Sequence, residues 1–447
     1  MPASRRHLSV VPDAAPPVSD AGGFILRVEL DEITPPIWRR LREASTIALD
    51  DLHLAIQAAM GWDNYHLHQW RSRSDPNDRN LPTYKPTYAF ADWETDEDER
   101  DEAGVPLTTL LHDVGDRLGY EYDFGDSWDH TITVEAVTED AGATRCLDGA
   151  RACPPEDIGG THGYATLLEV KADPEHEYRD WLGEHADAFD PEAFDVDAVN
   201  RRISSEAHAA AIFRTAKANS ALVSSIAGRL FPESVPDFTA ALGAARLDEP
   251  VTVPDDAAQF LAPFAALVRA SVGGIKLTQA GYLPPVVVAE LRELIPDTIG
   301  PSNREIDHYQ VSMLREYARS MGLTRVYKGT YMATKIGGRC AEDPILLWDT
   351  ITRKIPFDKD DADRELAIIE LIQIAAGILD RGPLAHETMT ALKWRKTNGG
   401  NMGDSYSELQ RLFTMLGVER PSRWSRRPTP PISDTARMFA RTALVHS

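Results

Sequence analysis

Seven side chains in the N-terminal half belong to residue types that bind divalent metals. They are His66, His68, Asp123, Asp126, His130, Glu156 and Asp157. Imidazole nitrogens and carboxylate oxygens ligate zinc and similar ions, and a His-x-His pair on a strand directs both imidazoles to one face. A metal-dependent hydrolase or nuclease could be assembled from this set. Against this assignment, neither HExxH nor a paired CxxC motif is present to supply a recognised metal site.

Asp123 and Asp126 lie on either side of Gly125 in the segment Tyr-Asp-Phe-Gly-Asp-Ser-Trp. Carboxylates in such a turn commonly accept hydrogen bonds from backbone N–H groups and hold the loop. Turn stabilisation and ligand binding are therefore both open for these two residues.

His130 recurs in phase with Trp128, Ile132 and Val134. Alternation of this kind places all four side chains on the apolar side of a strand. The pattern favours a hydrogen-bonded core histidine over a metal ligand.

The three cysteines of the chain are too few for a disulfide framework. Cys146 and Cys153 have no second pair to complete a zinc motif, and no neighbouring residue in the sequence activates Cys153 as a nucleophile. Both are predicted to be structural. The glycines of the segment 158–163 match neither GxGxxG nor the P-loop, so we expect them to serve a tight loop.

Basic residues of the C-terminal part form a second candidate surface, for nucleic acid. They are Arg325, Lys328, Lys335 and Arg339, followed by Arg423, Arg426 and Arg427 around Trp424. Cations beside an aromatic ring can contact phosphate and a base, although a solvated tail has the same composition. The net charge of the chain is −23, so a nucleic acid could bind only at a local basic surface and not over the whole protein surface.

The elements that position the N-terminal candidates follow from periodicity. Residues 24–30 alternate as a half-buried strand, a helix of residues 50–60 ends at Gly61, and residues 66–70 are a strand region. The runs 118–124 and 128–137 predict a β-hairpin. The acidic run 92–102 is predicted to be a solvated loop rather than a calcium site.

The second half is predicted to be mainly helical, because apolar residues recur there at spacings of three and four. The predicted helices span 256–271, 284–295, 303–321, 361–380 and 405–416. Residues 322–334 predict two strands joined by a Lys328–Gly329 turn. Two helices followed by a hairpin are the order of a winged-helix unit.

The fold class is therefore α+β, with antiparallel hairpins in an N-terminal α+β domain and a mainly helical C-terminal domain of winged-helix character. The predicted limits are 1–22 for a disordered leader, 23–203 for the first domain, 204–254 for an alanine- and proline-containing linker region and 255–447 for the second domain with a basic tail. The sequence has neither an apolar run that could span a bilayer nor a secretory signal, so a cytoplasmic location and no membrane partner are expected.

The N-terminal motifs resemble the plasmid pRiA4b ORF-3-like family. The resemblance is carried by Pro35-Pro-Ile-Trp-Arg-Arg40, Ala59-Met-Gly-Trp62 with His66-Leu-His68, Tyr120 to His130, and Ala152-Cys-Pro-Pro-Glu-Asp157. These motifs occur in family order over residues 23–203. The resemblance implies an α+β domain of uncharacterised function and an association with mobile elements.

The leading interpretation is a binding or accessory protein with a ligand groove in the N-terminal domain. No complete catalytic constellation is recognisable, so an enzyme is disfavoured. The metal-dependent hydrolase or nuclease, with a divalent metal as cofactor, is the alternative. A regulator that binds DNA through the C-terminal domain is the second alternative.

Overall fold

The computed structural model describes residues 22–72, 82–86, 98–230, 235–296, 300–380, 382–395, 407–419 and 429–446. The chain divides into two compact units, Met1–His208 and Ala209–Ser447. The described part is mixed α and β, with a large sheet in the first unit and mainly helices in the second. Within the described ranges, every helix is too short or too polar to span a bilayer.

The first unit is built on an eight-stranded sheet with the order β5-β4-β3-β6-β7-β1-β2-β8. Neighbouring strands are antiparallel except for β4 and β5, which are parallel. The strands are β1 (Gly23–Leu30), β2 (Trp38–Ala44), β3 (His68–Ser72), β4 (Thr83–Lys85), β5 (Glu99–Asp101), β6 (Arg117–Tyr122), β7 (Trp128–Thr138) and β8 (Arg145–Ala150).

The alternation of β1 determines which of its faces is buried. Phe24, Leu26 and Val28 are buried, whereas Arg27 and Glu29 form an ion pair on the other face. This confirms the predicted half-buried strand, because side chains in a strand alternate between faces.

The hairpin β6–β7 is also confirmed, and β6 pairs with β3 on its other edge. The aromatic side chains of the two hairpin strands, Tyr120, Tyr122 and Trp128, are fully buried. They form the centre of the first hydrophobic core together with Trp70. The hairpin turn and the residues just before β3 therefore lie at the same end of neighbouring strands.

The helices of the first unit are α1 (Leu49–Met60), α2 (Gly160–Ala172), α3 (Arg179–Ala188) and the start of α4 (Val196–Asn219). Helix α1 ends at Gly61, whose φ of 95° lies in the left-handed region that glycine adopts easily. The helix and its terminating glycine confirm the sequence-based prediction.

The second unit contains the remaining helices. They are α5 (Ala221–Ala227), α6 (Pro236–Ala245), α7 (Ala257–Phe260), α8 (Ala262–Ser271), α9 (Pro285–Arg292), α10 (Tyr309–Ser320), α11 (Lys335–Cys340), α12 (Pro344–Thr352), α13 (Asp361–Ala376), α14 (Gly382–Ala391), α15 (Glu408–Met415) and α16 (Asp434–His446). The segment 204–254, expected to be a linker region, contains α5, α6 and most of α4. Side chains of these helices, such as Phe213, Val223 and Phe238, are buried in the second core.

A three-stranded sheet, with the order β10-β11-β9, completes the second unit. Its strands are β9 (Ile275–Lys276), β10 (Thr324–Tyr327) and β11 (Thr330–Ala333). The predicted Lys328–Gly329 turn joins β10 to β11, and φ is positive at both positions, 48° and 75°. Two-residue hairpin loops of this kind match the twist of the strands.

Candidate functional site

Three segments of the first unit bring His66 and three carboxyl groups together. His66 lies in the bend before β3, Asp123 in the hairpin turn, and Glu156 and Asp157 in the loop before α2. The Nε2 atom of His66 is 3.1 Å from Asp157 Oδ1, 3.6 Å from Asp123 Oδ2 and 3.9 Å from Glu156 Oε2. We call these four residues the His66 cluster.

The spacing of the cluster fits ligands around a common ion. One ligand atom each from His66, Asp123 and Asp157 lies within 4.8 Å of the others. Ligand bonds of roughly 2.0–2.2 Å place neighbouring ligand atoms roughly 3 to 3.5 Å apart. The distances from His66 Nε2 to the three carboxylate oxygens, 3.1 to 3.9 Å, are at or above this range.

Asp123 is held by backbone geometry that few residue types adopt. Its φ is 57°, in the left-handed region that aspartate tolerates better than most residues, and Asp157 has a φ of 53°. The Oδ1 atom of Asp123 accepts a hydrogen bond from the N–H of Gly125 at 2.9 Å, which leaves Oδ2 directed at His66. Backbone conformations of this unusual kind are found more often at functional sites than elsewhere in proteins.

Glu156 is oriented by two donors. Its Oε1 atom accepts hydrogen bonds from the Tyr122 hydroxyl at 3.0 Å and from the N–H of Asp63 at 2.8 Å. Its Oε2 atom is buried and has no hydrogen-bond partner among the described residues. Burial raises the pKa of the Glu156 carboxyl, and burial together with the charge of Glu156 raises the pKa of Tyr122.

The imidazole of His66 is the unsatisfied centre of the cluster. Its Nε2 atom is buried without a hydrogen-bond partner among the described residues, although carboxylate oxygens surround it. A buried nitrogen without a partner is destabilising unless a ligand satisfies it. One side of the cluster is open, because the Asp157 side chain is 74% exposed.

Asp126 lies outside the His66 cluster and connects two loops. Its Oδ2 atom accepts a hydrogen bond from the N–H of Gly159 at 3.0 Å. The hairpin turn is thereby tied to the loop that carries Glu156 and Asp157. Of the two roles open for Asp126, the geometry favours loop stabilisation.

His68 is part of the hydrophobic core rather than of the cluster, so the expectation that His66 and His68 share a face is wrong. Its Nε2 atom is 2.9 Å from both carboxylate oxygens of Glu102, and its ring stacks on His53 with centroids 3.5 Å apart. Burial lowers the pKa of His68 to about 3 and raises that of Glu102 to about 7. Strand alternation does not apply, because β3 begins only at His68.

His130 is also buried, on the apolar side of β7 that the alternation predicted. Its Nδ1 atom is 2.9 Å from the carbonyl oxygen of Trp128, and its ring packs edge-on against Trp62. This places His130 away from the cluster, in a core position.

Glu102 is not evident as a site residue from the sequence, because it belongs to the acidic run 92–102, for which the sequence predicts a solvated loop. It is 3% exposed and accepts a hydrogen bond from the Trp70 indole at 2.7 Å. The prediction for the run is therefore wrong at this residue, whereas positions 92–97 lie outside the described residues. Among carboxylates of one run, only a tertiary partner distinguishes the buried member.

The thiol of Cys153 packs against Met60, with the two sulfur atoms 3.1 Å apart. Burial raises the pKa of this thiol. A raised pKa opposes formation of the thiolate that a nucleophile or a zinc ligand requires.

The basic candidates of the second unit are exposed where they are described. Arg325, Lys328, Lys335 and Arg339 form no ion pair with any residue in the described part of the chain. The predicted contacts Arg423, Arg426 and Arg427 lie outside the described residues.

The comparisons with known proteins concern the first unit. The family described as plasmid pRiA4b ORF-3-like protein matches residues 23–198. The uncharacterized protein y4hQ of Sinorhizobium fredii is 34% identical over 185 residues, which are 40% of this chain and 89% of that protein. A crystal structure of a protein of unknown function from Methanosarcina mazei Go1 is 33% identical, covers 40% of this chain and 98% of its own, and has a TM-score of 0.35. Through this N-terminal region, the chain belongs to the plasmid pRiA4b ORF-3-like family.

Proposed function

We propose that the first unit is a binding module that holds a divalent cation in the His66 cluster. The observation that carries this proposal is the buried Nε2 atom of His66, which lies within 3.9 Å of three carboxylate oxygens and has no hydrogen-bond partner among the described residues. A divalent cation between these atoms would satisfy the nitrogen and offset most of the carboxylate charge at the same time.

The donor set determines which cations fit. One imidazole and three carboxylates are ligands for zinc, manganese and iron(II), and the absence of a thiolate from the cluster disfavours copper(I). Glu156 is preorganised by Tyr122 and Asp63, which is the kind of support that fixes a ligand before the ion arrives.

Metal-dependent hydrolysis is the extension of this proposal. The exposed side of Asp157 leaves room for a water or substrate oxygen on the ion, and catalytic metal sites keep such a position open. Binding remains the leading proposal, because the cluster residues all serve as ligands and none is left as a separate general base.

The test is a calorimetric titration of the metal-free full chain with Zn²⁺ and, separately, with Mn²⁺. We expect one ion per chain, with affinity reduced about tenfold or more in His66→Ala and Asp123→Asn. His162→Ala is the matched control, because His162 is an exposed histidine on α2 outside the cluster. Equal affinity in His66→Ala and the unmodified chain would reject the proposal, as would the absence of binding.

Nucleic-acid binding by the second unit is the second candidate. The observation in its favour is a set of exposed cations without ion pairs in the described part of the chain, Lys276 together with the four basic candidates named above. The order of the elements from α8 through β11 is also the order expected for a winged helix, and the winged helix stays a prediction.

The cytoplasmic location and the association with mobile elements also stay predictions.

This candidate predicts that the full chain binds nucleic acid with a strong salt dependence. Charge reversal at Arg325 and Lys328 should weaken binding, since each cation that contacts a phosphate releases counterions. No binding at low salt to either duplex or single-stranded oligonucleotides would reject it.

A further inference from the structure

The small sheet of the second unit has one buried and one solvated face. Tyr331 and Ile275 are paired across β11 and β9, and both are buried. Tyr327, Thr330 and Lys276 form the adjacent row across the three strands. Directly paired residues share a face and successive residues alternate, so this row lies on the solvated face.

Arg325 lies on the same solvated face, two residues before Tyr327 on β10. Lys328 follows in the turn, with its Nζ atom 5.3 Å from the centre of the Tyr327 ring. Lys276, Arg325 and Lys328 have no carboxylate partner among the described residues, so their charges are available to a ligand. The solvated face therefore presents three cations around one aromatic ring, which is 56% exposed.

The neighbouring helix α10 has a different charge arrangement. Arg315 forms an ion pair with Glu305 at 3.1 Å, and Arg319 forms one with Glu316 at 3.0 Å. Each arginine of this helix thus has a carboxylate beside it. An anionic ligand is attracted to the sheet face more strongly than to the helix.

A pocket of about 580 Å³ opens at the turn end of the sheet. Its polar lining consists of Lys276, Lys328, Thr278, Thr330 and Gln279, and no carboxylate is among the described residues that line it. Ammonium, hydroxyl and amide groups are donors to phosphate oxygens. The pocket has the chemistry of a phosphate subsite.

We propose that the solvated face of the β10-β11-β9 sheet binds single-stranded nucleic acid. A base stacks on Tyr327, and the phosphates on either side contact Lys276, Arg325 and Lys328. Bases of a single strand are free to stack on an exposed ring, and cations beside the ring follow the backbone. The arginines of α10 are paired with carboxylates, which disfavours a duplex bound along that helix. This inference rests on the nucleic-acid candidate above and specifies its ligand.

The experiment is fluorescence anisotropy of the full chain with a labelled thymidine oligonucleotide of about 12 nucleotides, a length within the usual range of single-strand sites. The duplex of the same length is measured in parallel. We expect tighter binding to the single strand and a loss of affinity of about tenfold in Tyr327→Ala, with recovery in Tyr327→Phe. Tyr309→Ala is the matched control, because Tyr309 is a similarly exposed tyrosine on α10.

Charge reversals test the phosphate contacts separately. The slope of log affinity against log salt is negative, and its magnitude should decrease by about 0.7 or more, the value per phosphate of a single strand, in Lys276→Glu and likewise in Lys328→Glu. Lys354→Glu is the control for the change in net charge, since Lys354 is exposed and lies outside this sheet.

The outcomes separate this inference from the candidate on which it rests. Preference for the duplex, or an unchanged affinity in Tyr327→Ala, would overturn the sheet-face proposal while nucleic-acid binding stands. If the chain binds neither oligonucleotide, the sheet-face proposal and the nucleic-acid candidate are both overturned. Circular dichroism of each variant establishes that a loss of affinity does not come from unfolding.

Discussion

At the scale of single residues, Arg39 shows how a cation can be structural in a chain with many surface charges. Its side chain is buried, with Nε donating to the carbonyl oxygen of Ala59 at 2.8 Å. Its other nitrogens donate to the carbonyl oxygens of Trp38, Ala150 and Arg151 at 2.8 to 3.0 Å. One guanidinium thus connects the end of α1, strand β2 and the end of β8.

Arg39→Lys should destabilise the first unit by about 2–3 kcal/mol. An ammonium group donates from one point and cannot reproduce the planar fork, so buried carbonyl groups lose their partners. Urea unfolding of the full chain, followed by tryptophan fluorescence, measures this loss. Arg40→Lys is the control, because Arg40 forms partly exposed ion pairs with Glu135 and Asp148 and should change stability by less than about 1 kcal/mol. Equal effects of the two substitutions would contradict the assignment.

Glu43 is a buried carboxyl whose protonation is coupled to folding. Its Oε2 atom accepts a hydrogen bond from Thr144 at 2.6 Å, and burial raises its pKa from 4.5 to about 8. The folded state therefore keeps a proton that the unfolded state releases between these two values. The stabilising contribution is complete below the lower value and is lost as the pH rises to the upper one.

Glu43→Gln removes this dependence, since the amide does not ionise. We expect the variant to match the unmodified chain near about pH 4.5 and to be more stable by roughly 3–5 kcal/mol near about pH 9. Because the other titrating groups are common to both chains, the difference between their urea midpoints at the two pH values isolates Glu43. A difference that does not change with pH would contradict the raised pKa.

At the scale of elements, the cluster depends on how the hairpin turn meets the start of α2. Gly160 has a φ of 68°, and a Cβ atom there would lie 2.5 Å from the carbonyl oxygen of Asp126. Only a residue without a side chain permits this approach. The contact holds the loop of Glu156 and Asp157 against the turn that carries Asp123.

Gly160→Ala should lower stability by about 3 kcal/mol and weaken cation binding about tenfold or more, because strain and steric overlap separate the two loops. Gly104→Ala is a matched control, since Gly104 has a similar φ of 70° but nothing within 4 Å of an added Cβ. It should cost about 1 kcal/mol without affecting the cation. Thermal unfolding and metal titration of both variants make the comparison. Indistinguishable cation affinities would show that the loop contact does not position the ligands.

At the scale of the whole molecule, the described residues form two separate hydrophobic cores, one in each unit. The proposed cation ligands all belong to the first unit. A ligand that binds only the folded form of one unit stabilises that unit by mass action.

Scanning calorimetry of the full chain should therefore show that the cation raises the unfolding temperature of one transition and leaves the other in place. A cation at about a hundred times its Kd should stabilise the first unit by about 3 kcal/mol. His66→Ala should abolish the shift without moving the second transition. A shift of both transitions to the same extent would indicate a site outside the His66 cluster.

More of the fold than of the candidate site could be predicted from the sequence. Local periodicity was sufficient for β1, for the β6–β7 hairpin and for helix α1 with Gly61, because each follows from residues close in sequence. The site was harder to predict, because its members come from three segments.

The family motifs, the alternating strands and the candidate metal-binding residue types are all evident in the amino-acid sequence. Which of the candidates meet depends on the tertiary fold. His66 and His68 are two positions apart, yet one faces three carboxylates and the other is buried against Glu102. This difference arises because β3 begins at His68 and pairs with β6, which places the preceding bend beside the hairpin turn. Long-range strand pairing and burial, which cannot be read from local spacing, therefore determine which residues form the site.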